Sequence, residues 1–252
     1  MKKDGVVNWG VISTARIGIR TVIPAMQNVE GMRLMGICSR DPERASSVAR
    51  EMEIPRHYGS YEEMLADPDI HVVYNPLPNA MHHDWVLKSA EAGKHSLCEK
   101  PMANSERECM EMITEAERQH RVLMVAYCMR FHPLVARMKE LIDDRAYGKV
   151  FQLSIWTEQS THPPQGHWAR AAATVGGGQF FSHGCHYIDL LLWMLGRPVR
   201  GSHYGTNLCT PWMEREGTSN VTIEFESGAL GYHFGTWGAR GTRLGYSFHA
   251  HC

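Results

Sequence analysis

Ser182, His186, Asp189 and Trp193 follow one another at intervals of four, three and four residues, which places them on one face of a helix. Ile188, Leu191, Leu192 and Leu195 fill the rest of the circumference. A polar face on an otherwise apolar helix suits the lining of an active site. Histidine is the side chain whose ordinary pKa lies nearest neutrality, and a carboxylate beside it can hold the ring and stabilise its charge. The plainer alternative is a core histidine satisfied by a backbone carbonyl, with Asp189 holding that ring or capping another segment. Lys100 is a second candidate. It stands in Glu99-Lys100-Pro101 at the end of the strand-like run HSLCEK, where an ammonium could hold a hydroxyl or could simply be solvated.

The elements that must position these residues come in two kinds. Apolar runs of strand length occupy residues 6–13, 32–39, 71–76, 95–100 and 121–127, with helix-like segments such as NAMHHDWVLKSAEAG and NSERECMEMITEAERQH between them. Runs without polar alternation belong to strands buried on both faces. Their alternation with helices specifies an α/β fold with a doubly wound parallel sheet. A dinucleotide-binding Rossmann domain is therefore predicted over residues 1–127. Beyond it FHPLVARMKELIDD and HYIDLLLWMLG read as helices, and VFQLSIWTEQ, VRGSHYGTN, SNVTIEFES, ALGYHFGTW and RLGYSFHAH as strands. Ser227-Gly228 reads as a hairpin turn. Residues 128–252 should form an α+β domain with a mostly antiparallel sheet, serving substrate binding and oligomerisation. Tyr204, Phe225, Tyr232, Phe234, Trp237 and Tyr246 offer more aromatic surface than one helix layer covers, which predicts a homo-oligomer built through this sheet.

Ligands of an open parallel sheet bind at its carboxyl edge, where the first strand meets the first helix. That turn is Ser13-Thr14-Ala15-Arg16-Ile17-Gly18. Glycine-rich turns of this kind aim backbone N–H groups at a pyrophosphate from a helix N-terminus. Here Ser13 and Ala15 replace the first two glycines, and an ordinary tight turn would use the same residues. After the second strand comes Cys38-Ser39-Arg40-Asp41-Pro42-Glu43. An acidic residue there would bind a ribose 2′-hydroxyl and repel a 2′-phosphate. Arg40 can instead pair with a phosphate and Ser39 offers a hydroxyl donor. Asp41, followed by Pro42, has the signature of a helix N-cap. NADP is thus favoured as cofactor, with NAD possible.

Three segments, with the opening, resemble the Gfo/Idh/MocA family of oxidoreductases over nearly the whole chain: WGVISTARIG, NPLPNAMHHDWVLKSAEAGKHSLCEKP (75–101) and GGGQFFSHGCHYIDLLLWMLG (176–196). The resemblance implies that Pro76, Asn79, His82, Glu99 and Lys100 line the cofactor cleft. It places Lys100 beside the nicotinamide and makes His186 the acid/base residue. Many members carry Asp where this chain has Ser182, and serine hydrogen-bonds without supplying charge. Asp189, three residues after His186, could then be the carboxylate partner. Members also usually run well past the point at which this chain stops, so a fragment and a shortened form both stay open.

Composition narrows the rest. Lys plus Arg total 26 against 27 for Asp plus Glu, so no one-signed field gathers nucleic acid or an anionic membrane. No apolar run spans a bilayer and the start is no signal peptide. The seven cysteines lack any C-x-x-C pair, which fits reduced thiols in the cytoplasm. Fifteen histidines invite a metal, but His82-His83 diverge on a helix and His249 with His251 make only two ligands, so no metal site is expected. The expected reaction is hydride transfer between NADP or NAD and a carbinol carbon of a sugar, sugar derivative, cyclitol or dihydrodiol, with His162, His167, Trp168, Gln179 and Asp189 offered to the polyhydroxy substrate. A redox-assisted glycosidase with bound NAD and a non-catalytic NADP-binding regulator are the alternatives.

Overall fold

The structure, a computed structural model, describes residues 5–240 and 245–252. The chain divides between Ala126 and Tyr127 into two compact units. In the first unit the strands are β1 (Val7–Ile12), β2 (Met32–Cys38), β3 (Arg56–Tyr58), β4 (Val72–Asn75), β5 (His95–Cys98) and β6 (Leu123–Val125). Among the described residues they form a six-stranded sheet in the order β3-β2-β1-β4-β5-β6, and every neighbouring pair is parallel. β4 is buried at all four positions, as a strand covered by helices on both faces must be. The strand order reverses between β1 and β4, and that switch point is where a crevice opens at the carboxyl edge.

The helices of this unit begin where side chains can cap them. Asp41, Ser60 and Ser105 each accept the backbone N–H three residues on, starting α2 (Pro42–Glu51), α3 (Tyr61–Ala66) and α5 (Glu106–Arg118); such caps contribute about 1 kcal/mol each. The helix after β1 is less regular. A π-helical turn at Gly18–Val22 runs into α1 (Ile23–Met26), with Pro24 in its first turn. Proline has no N–H for the carbonyl four residues back, and a widened turn accommodates its ring. α4 (His82–Glu91) follows β4 after a 3₁₀ turn at Asn79–Met81.

The second unit carries α6 (Pro133–Asp143), β7 (Gln152–Glu158), α7 (Ala172–Val175), α8 (Cys185–Leu195), β8 (Pro198–Thr206), β9 (Thr218–Phe225), β10 (Leu230–Thr236) and β11 (Gly245–His251). Its sheet runs β11-β7-β10-β9-β8. β7 and β10 are parallel and the other pairs antiparallel. The β9–β10 hairpin turns through Gly228 at φ +82°, a conformation glycine adopts without steric cost.

α8 covers one face of this sheet. Leu190, Leu191 and Met194 pack with Leu153, Ile155, Val221, Ile223 and Phe225. Phe225 is therefore core and does not belong to the open face, where it was expected. Tyr246, though exposed, lies on the α8 side: it pairs with Thr157, and its ring lies 6.1 Å from that of Tyr187 on α8. The open face instead carries Tyr232 and Phe234, each 5.3 Å from Trp156. Among the described residues no helix is long and apolar enough to cross a membrane.

Candidate active site

The turn after β1 has the backbone shape that glycines usually supply. Ser13 sits at φ +82°, a left-handed conformation costing an L-residue roughly 1–2 kcal/mol. Its N–H donates to Cys38 O at 3.0 Å and its Oγ accepts the Ala15 N–H at 3.2 Å. Thr14 and Ala15 are partly exposed, and Arg16 and Ile17 are exposed. Ala15 O accepts Ile19 N–H, so the first-turn amides precede the first intrahelical bond and face outward from the helix N-terminus.

At the end of β2, Ser39 is buried and its Oγ accepts the Asp41 N–H at 3.2 Å, which leaves its hydroxyl proton to donate. Asp41 Oδ1 is turned back onto Arg44 N–H at 3.1 Å. The acid that follows the strand in sequence thus has its Oδ1 spent on a helix cap. Arg40 is exposed and its charge acts on the hydroxyl of Tyr61, whose pKa burial nonetheless raises. Beyond β4, Pro76 and Asn79 are buried at the switch point. Asn75 Oδ1 accepts the Leu77 N–H, while its buried Nδ2 has no partner. A strained non-glycine turn, outward amides, a β2 end whose Asp41 is turned onto a helix cap, and an orphaned donor at the crevice all fit a dinucleotide.

Glu99 and Lys100 follow β5 on the same edge. Tyr74 Oη donates to Glu99 Oε1 at 2.8 Å, and Lys100 N–H to Glu99 Oε2 at 3.2 Å. Glu99 thus braces the turn from within, while Lys100 is half-buried. His82 is a correction to the sequence reading. It is 1 % exposed, and its Nδ1 and Nε2 lie 2.8 Å from the carbonyls of Pro101 and Leu77. Both ring nitrogens are spent on protein, so the ring staples the loop after β4 to the loop carrying Lys100. Burial lowers its pKa more strongly than the two carbonyls raise it; a neutral ring donates to one carbonyl, and only a protonated ring could satisfy both. His82→Ala should cost about 2–4 kcal/mol by stripping the donor from one buried carbonyl and leaving a cavity in place of the ring. Urea unfolding with an unchanged slope reads this directly, and a shift under about 0.5 kcal/mol would remove the staple from the account.

In the second unit Ser182 lies buried in a π-helical turn at Phe180–Gly184, its N–H donating to Gly178 O. His186 is 9 % exposed in the first turn of α8, with the rings of Tyr127 and His183 each 6.2 Å away. The predicted polar face divides at this point. Asp189 forms a bidentate pair with Arg130, at 2.7 Å to Nε and 2.6 Å to Nη2, and the guanidinium lies 5.5 Å from the Trp193 ring. Both oxygens of Asp189 are therefore committed to Arg130, a residue the sequence reading missed, rather than reserved for His186. Gln179 is also relocated. It is fully buried and its Oε1 accepts the Ser219 hydroxyl at 2.6 Å, so it does not face a substrate. The His162 ring lies 4.2 Å from that of Trp212, tilted at 41°, His167 caps the short turn Trp168–Arg170, and Trp168 is 38 % exposed.

Comparison with known proteins agrees with this architecture. Residues 7–127 match the oxidoreductase family with an NAD-binding Rossmann fold, and residues 135–252 match the GFO/IDH/MocA C-terminal domain. D-xylose 1-dehydrogenase (NADP(+)) 2 of Haloferax volcanii is 38% identical over 88% of this chain and 66% of its own. Trans-1,2-dihydrobenzene-1,2-diol dehydrogenase of Xenopus laevis is 32% identical over 73% of this chain and 55% of its own. The chain thus spans between about half and two thirds of these relatives. Levoglucosan dehydrogenase, solved in complex with NADH, superposes with a TM-score of 0.87 at 25% identity, covering 97% of this chain and 70% of that one. The aldose-aldose oxidoreductase from Caulobacter crescentus, complexed with glycerol, gives 0.87 at 26% identity over 93% and 72%. With both of its units matched, the chain belongs to the Gfo/Idh/MocA family of oxidoreductases.

Proposed function

We propose that the protein is a cytoplasmic oxidoreductase that uses NADP, and accepts NAD, to interconvert a carbinol and a carbonyl on a small polyhydroxy substrate: a sugar, sugar derivative, cyclitol or dihydrodiol. The observation that carries this reading is the carboxyl edge of the first unit, where the Ser13 turn, Ser39-Arg40 and Glu99-Lys100 all follow strands of one parallel sheet. The named activities of the xylose and dihydrodiol dehydrogenases support the substrate class. A bound nicotinamide would supply the hydride acceptor or donor. Residues 1–127 hold the dinucleotide: the amides of Thr14, Arg16 and Ile17, beyond those Ser13 and Ala15 spend on the turn itself, take the pyrophosphate, Pro76 and Asn79 shape the crevice, and Arg40 takes the 2′-phosphate. Lys100 holds the reacting oxygen, and His186 takes or gives the hydroxyl proton. Asp189 holds Arg130 against the face of α8 that carries Trp193. Residues 128–252 receive the substrate.

A panel of sugars, polyols and dihydrodiols with NADP or NAD, followed at the reduced-nicotinamide absorbance, tests the reading. Net reduction supports it. Glycoside cleavage without net reduction, or cofactor binding without turnover across the panel, would replace it.

Arg40→Ala should weaken NADP by roughly 1.5–3 kcal/mol and NAD much less, because only the 2′-phosphate distinguishes them. Equal losses in a titration of both cofactors would contradict the assignment.

The open sheet face is proposed as the self-association surface. Trp156, Tyr204 and Leu230 are 39 %, 77 % and 46 % exposed, and register puts them on one side with Tyr232 and Phe234. Trp156→Asp should convert a full-length oligomer to monomer at micromolar concentration, because a charge buried in an apolar interface goes unpaired. An unaltered sedimentation profile would rule this face out.

A further inference from the structure

The amino edge of the first sheet, one strand length from the proposed cofactor edge, holds a cavity of about 400 Å³ lined by His71, Lys94, His95 and Arg121 among apolar neighbours. Among the described residues no acidic side chain lines it. Lys94 is 6 % exposed, and its Nζ donates to the carbonyls of Asp67 and Ile70 at 2.6 and 2.8 Å. Two of its three N–H groups are thereby used, and among the described residues no carboxylate pairs with it. Buried charges are ordinarily paired, because an uncompensated one is costly to desolvate. The nearest acids, Asp67 and Asp69, offset its burial only from a distance, because their carboxylates bind Arg56 at 2.6 and 2.9 Å.

The other groups add donors and no acceptors. Arg121 Nε is buried without a partner. His71 Nδ1 accepts the Asn8 N–H at 3.1 Å, and His95 Nδ1 accepts the Val122 N–H at 2.9 Å. An imidazole that accepts at Nδ1 carries its proton on Nε2. Each ring is therefore fixed by backbone with its Nε2–H as the remaining donor. The three residues stand side by side because His71, His95 and Arg121 enter or directly precede adjacent strands β4, β5 and β6. Burial lowers the pKa of His95, and the neighbouring Arg121 and His71 add to that lowering.

We propose that this cavity is a second ligand site, for a small multivalent oxyanion bearing phosphoryl or carboxylate groups, distinct from the dinucleotide site. An anion would receive Nε2–H from both histidines and N–H from Arg121, and would neutralise the buried Lys94. The site draws on no residue assigned to cofactor or substrate, so it stands whether or not the proposed reaction is found.

The test is titration of the full chain with inorganic phosphate and, separately, citrate, following His71 and His95 by long-range ¹H–¹⁵N correlation. Saturable shifts at both rings in the millimolar range or tighter are expected, with the His95 titration midpoint moving upward as the anion stabilises imidazolium. Phosphate alone or citrate alone producing them identifies which group is read. Arg121→Gln should weaken the response roughly tenfold or more, as loss of one charge-assisted hydrogen bond implies. A thermal-melt increase with either anion, absent in the variant, is the independent readout. Shifts that sodium chloride of matched ionic strength reproduces, that do not saturate, or that persist undiminished in a folded Arg121→Gln variant would overturn the site.

Discussion

Lys100→Met is expected to lower turnover by roughly 10²- to 10³-fold, the loss seen when one preorganised donor to a developing oxyanion is removed. The fold should survive. Lys100 is half-buried, and its turn is braced by backbone contacts that Met leaves intact: its own N–H on Glu99, and the Pro101 carbonyl on His82. Met keeps the apolar stem and removes only the ammonium. If Lys100 binds the oxygen more tightly in the transition state than in the ground state, kcat falls and KM moves little. A change confined to KM would make it a uniform binding group. His186→Asn should cost on the order of 10²–10⁴ in rate as a lost acid/base. Near-normal rates in either variant on a substrate the panel identifies would return that residue to a structural role.

The contrast between Lys100 and His82 shows what sequence could and could not carry. The place of Lys100 was legible because HSLCEK reads as a buried parallel strand ending at the sheet's carboxyl edge, while its expected role came from the family motif and awaits the Lys100→Met measurement. His82 lies in the same motif, but its partners are carbonyls of Leu77 and Pro101, and which way a ring turns from a helix start is a tertiary matter. The Arg130–Asp189 pair joins residues 59 apart in sequence, so helical spacing found Asp189 without its partner. Strands β1, β2, β4, β5 and β6 followed from apolar runs. β3 did not, since Arg56, His57 and Tyr58 form a three-residue edge strand with no apolar run to betray it.

The second sheet was legible as strands but not by face. Val221, Ile223 and Phe225 alternate with Asn220, Thr222 and Glu224, so period-two patterning assigns Phe225 to the core once the hairpin register is fixed. Counting aromatics without that register mixed both sides of the sheet. Gln179 escaped for a related reason. A Cβ at Gly235 would come within 2.1 Å of its Nε2, so a glycine on β10 is what lets a polar side chain lie under the sheet.

His233 gives a large effect on the acid side of neutrality. Its side chain is fully buried on β10, stacked on Tyr187 at 5.1 Å and 13°, with Thr157 Oγ1 3.3 Å from Nε2. Burial, aided by the nearby His183, pulls its pKa down from 6.5 to about 3. Below pH 6.5 the unfolded chain therefore takes up a proton at this residue and the folded chain does not. Stability rises with pH wherever the unfolded state binds more protons, so the contribution of His233 is full above 6.5 and is lost as pH falls toward 3. At 1.36 kcal/mol per unit, the loss between pH 6.5 and about 4.5 is about 2–3 kcal/mol. His233→Gln keeps a polar side chain that does not titrate. Whatever it costs at neutral pH, that cost is constant over the window, so the slope is the readout. Urea unfolding across the window should show the wild type losing about 2–3 kcal/mol more than the variant. Parallel curves would mean that water or a rearranged ring lets His233 protonate in the folded state, and the tight Tyr187 stack would have to open to admit it.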